Sequence, residues 1–169
     1  MPHNTTAGQD GQRALVVIDK LFCHFFDRAK QNLIKDGRVA PFVFFLCGTL
    51  DDPKIFAVEM EIDSETKKDM FAGFVKEELR KNKAWGYAMV AESWVLWSGD
   101  FPNGAVPTGS APSQHPQRRE AVYAVLVTRD ESRCAVAFFE RKDGHAVITK
   151  EEEMPRDVVM DGRFANLFD

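Results

Sequence analysis

Cysteine is scarce in this sequence, which holds only Cys23, Cys47 and Cys134. The three lie far apart in apolar segments, and this odd, unpaired spacing argues against a disulfide framework or a zinc knuckle. We therefore expect three reduced thiols in the core of a cytoplasmic protein. No uncharged apolar run approaches membrane-spanning length, and the polar opening MPHNTTAGQDGQR lacks the apolar core of an export signal.

An excess of positive charge is also missing, because 22 Lys and Arg residues stand against 26 Asp and Glu residues, for a net charge of −4. Non-specific binding to nucleic acid depends on clustered cations, so we do not expect a nucleic-acid partner. We expect no membrane partner either, because no apolar run is long enough to span a bilayer. The sequence contains no HExxH, CxxC, GxSxG or GxxxxGK[ST] signature. Neither His24 nor His145 stands at metal-ligand spacing, and we predict no metal and no cofactor.

Phenylalanine is abundant instead, with 14 copies against two tyrosines, and hydrophobic residues make up 44% of the 169 positions. Rings without polar tips can fill a thick core. A chain of this length fits one domain large enough to bury such a core. We predict a single domain over residues 13–169, preceded by a flexible tail over residues 1–12.

Hydrophobic spacing predicts the elements of this domain. Apolar residues recur every three or four positions from Arg13 to Lys35, and Gly37 supplies a helix stop. A second helix should run from an N-cap at Asp63 or Ser64 to about Asn82. Its outer face carries five cations, which we interpret as a solvated surface: Lys67, Lys68, Lys76, Arg80 and Lys81. Strand patterns cover residues 39–47, 54–63, 84–97, 120–128, 133–141 and 145–153, and a short amphipathic piece closes the chain at 162–169.

The resulting order is α-β-β-α-β-β-β-β-α. Strands joined by tight turns pair antiparallel, so the sheet should be mostly antiparallel with about six strands. We predict an α+β two-layer sandwich with the helices packed on one face. Because no glycine-rich turn links a strand to a helix, the doubly wound nucleotide-binding folds are disfavoured.

One long loop interrupts the pattern. Residues 98–118 contain four prolines, three glycines and no hydrophobic period, and loops of this length are usually functional or disordered. The loop ends in HPQRREAV, residues 115–122, where proline disfavours a helix and an alternating strand begins. Three successive features form a pattern here: an acidic-x-Trp strand, a proline-containing loop and a P-x-R-x-E strand entrance. This pattern resembles that of small bacterial and phage-type α+β proteins to which no function is assigned. The resemblance covers residues 91–122 and links five residues as a set: Glu92, Trp94, Pro116, Arg118 and Glu120.

The candidate functional residues flank this loop. The catalytic candidates are Glu92, His115, Arg118 and Glu120, and the binding candidates are Trp94, Phe101 and Arg119. Some of these residues also have a purely structural interpretation. Glu92 could face water on the open side of the sheet, and Arg118 and Glu120 could form cross-strand ion pairs. We specifically predict an ion pair between Arg118 and Glu92, since both occupy polar positions in strands that flank the same loop.

Two functions from different classes follow from these residues. The preferred one is a non-catalytic interaction or regulatory module that binds an unknown protein partner or itself, because no catalytic signature is present and the loop could present Phe101 and His115. The alternative is a small hydrolase that uses Glu92, His115 and an arginine from position 118 or 119.

Overall fold

The computed structural model describes residues 6–61, 63–107, 111–156, 164 and 167–168, with side chains from residue 11 onward. Its two helices are α1, Thr6–Asp36, and α2, Glu65–Lys81. Its six strands are β1, Phe42–Gly48; β2, Pro53–Glu59; β3, Gly86–Val95; β4, Arg119–Thr128; β5, Ser132–Lys142; and β6, His145–Glu153.

The strands form one antiparallel sheet in the order β2-β1-β3-β4-β5-β6, so the α+β class and the six-stranded antiparallel sheet are confirmed. α1 begins at Thr6 and therefore extends into the stretch predicted as a flexible tail. The short helix predicted at 162–169 lies largely outside the described residues, of which Phe164 is in a turn.

α1 packs on one face of the sheet through the stripe that the sequence predicts. The buried members of the stripe are Ile18, Phe22, Phe25, Ala29 and Leu33. They share a cluster with small strand residues, Ala88, Ala124, Ala135 and Ala137, whose short side chains let the helix approach closely. The helix ends at Gly37, where a φ of +72° favours glycine and the N–H donates to the Leu33 carbonyl at 2.9 Å. We call this side of the sheet the α1 face.

α2 packs on the opposite face. The Ser64 Oγ accepts the Lys67 N–H at 3.2 Å, which caps the helix as the sequence predicts. The buried residues of α2 are Ala72, Val75 and Leu79, and they cluster with Val43, Phe45, Tyr87 and Met89. Because strand side chains alternate, Phe45 and Phe44 point to opposite faces, as do Met89 and Ala88. The two helices therefore divide between the faces, where the sequence had suggested that they share one. We call the α2 side the α2 face.

The 98–118 loop connects β3 to β4. It contains three single-turn 3-10 helices, Ser98–Asp100, Pro102–Gly104 and Pro112–Gln114. Trp97, at its start, packs edge-on against Phe138 with ring centroids 5.3 Å apart. Ala121, Val136 and Phe138 form a third buried cluster beneath this end of the sheet. Trp97 thus packs on a buried cluster of strand residues that is separate from the cluster beneath α2.

Arg133 ties α1 to the strands near the far edge of the sheet. This arginine of β5 is 6% exposed, and its guanidinium pairs with Asp19 of α1 and Glu153 of β6. Its charge also lies over the Phe22 ring, 5.0 Å from the centroid. Arg156 approaches the same Asp19 carboxylate, at 2.6 Å. The buried charge is therefore paired on two sides, as burial of a cation requires.

Candidate functional site

A groove lies at the end of the sheet where β4 begins and where β5 turns into β6. Its volume is about 900 Å³. The residues that line it are Trp94, Arg118, Arg119, Glu120, Phe138, Phe139, Glu140, Arg141, Lys142, Thr149 and Lys150. We call it the arginine groove, because three of these residues are arginines from two strands and the loop end.

Each arginine of the groove lies over an aromatic ring. The Arg118 guanidinium lies 4.6 Å from the Trp94 ring centroid. Arg119 lies 5.4 Å from the Phe138 ring, and Arg141 lies 5.1 Å from the Phe139 ring. A guanidinium above a ring is held by the quadrupole of the ring, for about 0.5–1 kcal/mol at an exposed site. The three rings therefore help to orient the three charges.

Arg141 is bonded through all three of its nitrogens. Nη2 donates to Glu92 Oε1 at 2.6 Å, Nε to Glu120 Oε1 at 3.2 Å, and Nη1 to the Gly37 carbonyl at 2.6 Å. Glu92 Oε2 also accepts the Val39 N–H at 3.0 Å. This arginine therefore joins β3, β4 and β5 to the segment between α1 and β1, and each of its three nitrogens donates one hydrogen bond.

The predicted ion pair between Arg118 and Glu92 is wrong, because Arg141 holds Glu92 instead. Strand register explains the difference. Trp94 is the register partner of Glu120, whereas Glu92 lies opposite Val122, farther from the start of β4. Arg118 precedes β4 and so lies beside Trp94. Arg141 comes from β5, on the same face as Phe139, which is the register partner of Glu120.

Arg118 has only neutral partners among the described residues. Its Nη1 donates to the Ser113 carbonyl at 2.6 Å, and its other contact is the Trp94 ring. Its neighbour Arg119 points to the other face, where Nη2 pairs with Asp100 Oδ1. Arg118 therefore brings to the groove a positive charge that none of the described carboxylates balances.

His115 and Phe101 belong to the loop and not to the groove. The Phe101 side chain is buried, and its ring lies edge-on to His115 with centroids 5.5 Å apart. His115 Nδ1 accepts the Gln117 N–H at 3.1 Å. These contacts differ from those of Glu92, so among the described residues no contact links the acid to the base that the hydrolase hypothesis requires. Phe101 stabilises the loop from inside rather than being presented at its surface.

Sequence reasoning missed Arg141, Phe138 and Phe139. Both rings lie at a β-bulge, where the pairing of β5 with β6 shifts register, and the Thr149 hydroxyl donates to the Phe138 carbonyl at 3.2 Å. A bulge re-aims side chains and is frequent beside functional sites. The alternation of β5 held one usable signal, because Phe139 and Arg141 must share a face.

The lining of the groove carries more cations than carboxylates. Its cations are Arg118, Arg119, Arg141, Lys142 and Lys150, whereas its carboxylates are Glu120 and Glu140. Guanidinium groups bind carboxylates and phosphates through paired N–H donors. Within the described part of the chain, no group of three or more His, Cys, Asp or Glu residues is arranged to hold a metal ion.

Comparison with protein-family models, with curated proteins and with solved structures gives no match for this chain. Its fold and its groove are therefore interpreted from their own geometry. Neither of the described helices combines the length and the apolar character that crossing a membrane requires.

Proposed function

We propose that the protein is a non-catalytic interaction module that binds an acidic segment of a partner protein in the arginine groove. The observation that carries this proposal is Arg118, a cation in a groove of about 900 Å³ with no acidic partner among the described residues. We place this activity in the cytoplasm, in keeping with the free thiols of Cys23, Cys47 and Cys134.

The composition of the groove supports binding. Tryptophan and arginine are the residues most enriched where interfaces gain their energy. Trp94 is 38% exposed and has Arg118 over its ring, which combines apolar area with a charge that is already oriented. Arg141 contributes differently, because its bonds to Glu92 and Glu120 fix the wall of the groove before any partner arrives.

Charge complementarity favours a different protein over a second copy as the partner. The most acidic run of this chain, residues 151–153, is already paired within the molecule. Glu151 bonds to Lys30 at 2.8 Å, Glu152 to Lys150, and Glu153 to Arg133. A second copy would have to break these pairs in order to offer the run to the groove.

Titration with a synthetic glutamate-rich peptide, followed by isothermal calorimetry at low salt, tests the proposal. The Arg118→Gln variant should weaken peptide binding about tenfold, equivalent to about 1.4 kcal/mol. Arg28→Gln is the matched control, because Arg28 is an exposed arginine of α1 that bonds to Gln31 and lies outside the groove. Light scattering on the free protein should show a monomer.

Three results would contradict the proposal. One is the absence of peptide binding by the wild-type protein. The second is an equal loss of affinity in Arg118→Gln and Arg28→Gln, which would indicate attraction by overall charge. The third is a stable dimer that Arg118→Gln dissociates, which would assign the groove to self-association.

A further inference from the structure

A second concave site lies at the other end of the α2 face. It has a volume of about 720 Å³. Its lining comes from the end of α2, the turn into β3, the turn between β4 and β5, and the last described residues. The lining residues are Gly73, Lys76, Glu77, Leu79, Arg80, Lys83, Ala84, Trp85, Arg129, Leu167 and Phe168. We call it the α2-end cavity. It shares no residue with the arginine groove.

Positive charge dominates the α2-end cavity. Arg80, Lys83 and Arg129 line it, and within the described residues none of the three forms an ion pair. Glu77 is the one carboxylate among the described lining residues, and Lys76 adds a further cation. The carboxyl end of a helix attracts a single cation near its last turn, which would account for Arg80. It does not account for Lys83 and Arg129, which line the same cavity from two separate turns.

Lys83 occupies a backbone position that usually belongs to glycine. Its φ is +50°, in the left-handed region, just after the end of α2. The turn is closed by the Lys83 N–H, which donates to the Arg80 carbonyl at 3.3 Å, and by the Ala84 N–H, which donates to the Leu79 carbonyl at 2.9 Å. A lysine is less stable there than glycine because its Cβ is crowded. The chain therefore places a charged side chain at the rim of the cavity at a cost in stability.

Apolar side chains form the remaining wall. Trp85 is held by its indole N–H, which donates to the Cys47 carbonyl at 3.2 Å. Arg129 lies over the Phe168 ring, 5.1 Å from the centroid, so its guanidinium is oriented as well. Leu79 and Ala84 complete the wall. The cavity thus offers cationic donors beside an apolar surface.

From this geometry we propose that the α2-end cavity binds a small phosphate ester, with the phosphate held by Arg80, Lys83 and Arg129 and the organic part resting against the apolar wall. The volume falls within the range of sites for small molecules. Two guanidinium groups and an ammonium match the charge and the acceptor geometry of a phosphate dianion. The net charge of −4 disfavours a long polyanion such as nucleic acid, which a broad basic surface would attract.

Calorimetric titration in a chloride buffer free of phosphate, with phenyl phosphate and inorganic phosphate as probes, tests this site. Both probes should bind, and phenyl phosphate should bind several-fold more tightly because its ring contacts the wall. Arg129→Gln should weaken the binding of phenyl phosphate at least tenfold. Lys83→Gly should do the same while its melting temperature stays equal to or above that of the wild type, because glycine relieves the left-handed position. An effect of that variant cannot then be assigned to unfolding.

Lys81→Gln is the matched control. Lys81 also lies in the last turn of α2, but it bonds to Glu78 at 3.3 Å and does not line the cavity. Its substitution should leave the affinity within twofold of the wild type. The proposal is overturned if neither probe binds at millimolar concentration, or if Lys81→Gln weakens binding as much as Lys83→Gly. Equal affinity for the two probes would refute the role of the apolar wall.

Discussion

Removing Arg141 should destabilise the fold by more than an ordinary surface substitution. The side chains of its two carboxylate partners, Glu92 and Glu120, are 23% and 25% exposed, so both charges are about three-quarters withdrawn from water. An exposed ion pair contributes about 0.2–1 kcal/mol, and breaking a fully buried pair costs about 3–5 kcal/mol. For two partly buried pairs and the bond to the Gly37 carbonyl, we expect Arg141→Met to cost about 2–3 kcal/mol. Methionine keeps much of the apolar contact with Phe139.

Urea unfolding followed by circular dichroism measures this cost, provided that the slope of the transition is unchanged. A double-mutant cycle with Glu92→Gln should give a coupling free energy of about 1 kcal/mol between Arg141 and Glu92. The same cycle between Arg118 and Glu92 should give less than about 0.3 kcal/mol, because Arg118 lies on Trp94 instead. The reasoning is refuted if Arg141→Met costs less than about 0.5 kcal/mol, or if the two couplings are reversed.

Three further predictions concern the helix cap, a tight turn and the thiols. Ser64→Ala should lower the free energy of unfolding by about 1 kcal/mol, whereas Ser64→Asp, which can still cap α2, should change it little; equal urea midpoints for the two would contradict the cap. Gly48→Ala should cost more than about 1 kcal/mol, because φ is +72° and the new Cβ would lie 2.7 Å from the Asp52 carbonyl oxygen; an unchanged midpoint would exclude that clash. Burial raises the pKa of Cys134 to about 11 from an ordinary 9.0, so its contribution to stability is complete below pH 9 and is lost as the pH rises towards 11. Cys23 is exposed, so the prediction that all three thiols lie in the core is wrong for this residue. At pH 8, iodoacetamide should therefore modify Cys23 well before Cys134, as peptide mass spectrometry would show, and equal rates would refute the protection.

Much of the fold could be predicted from local sequence patterns. Alternation and tight-turn residues predicted the hairpin of β1 with β2 and the successive pairing of β4, β5 and β6, because these contacts join neighbours in the chain. The cap at Ser64 was also predictable from the sequence, because it depends on residues within one helical turn. Such features need no knowledge of the rest of the molecule.

The position of α2 depends on contacts between distant parts of the chain, yet one signal for it was present. Residues 86–91 of β3 are buried at every position, and the sequence there, GYAMVA, is continuously apolar. A strand of that kind is typically covered on both faces, whereas a strand with one wet face alternates. Read in this way, the run would have indicated a helix on each side of the sheet.

The candidate site was less predictable, because its key contact depends on register between strands. The sequence pattern linked Glu92 with Glu120 and supplied Arg118 as the cation, but the cation that joins the two carboxylates comes from β5. Only the pairing of Glu120 with Phe139 brings Arg141 into reach, and a slip of one residue would send it to the other face. Composition and spacing do not contain that register.

The strand order divides the sheet into two parts that meet at a single seam. β1 and β3 are the only adjacent pair of described strands separated by an α-helix, and five register pairs join them, against ten between β3 and β4. Because the chain must close over β2 and α2 to form this seam, the run of strands from β3 to β6, which is joined by the 98–118 loop and two tight turns, can assemble first, and the β1–β2 hairpin docks afterwards. Once folded, the molecule should open at the same place. Backbone amides of β1 and β2 should then exchange with deuterium through a partial opening that leaves β4 protected.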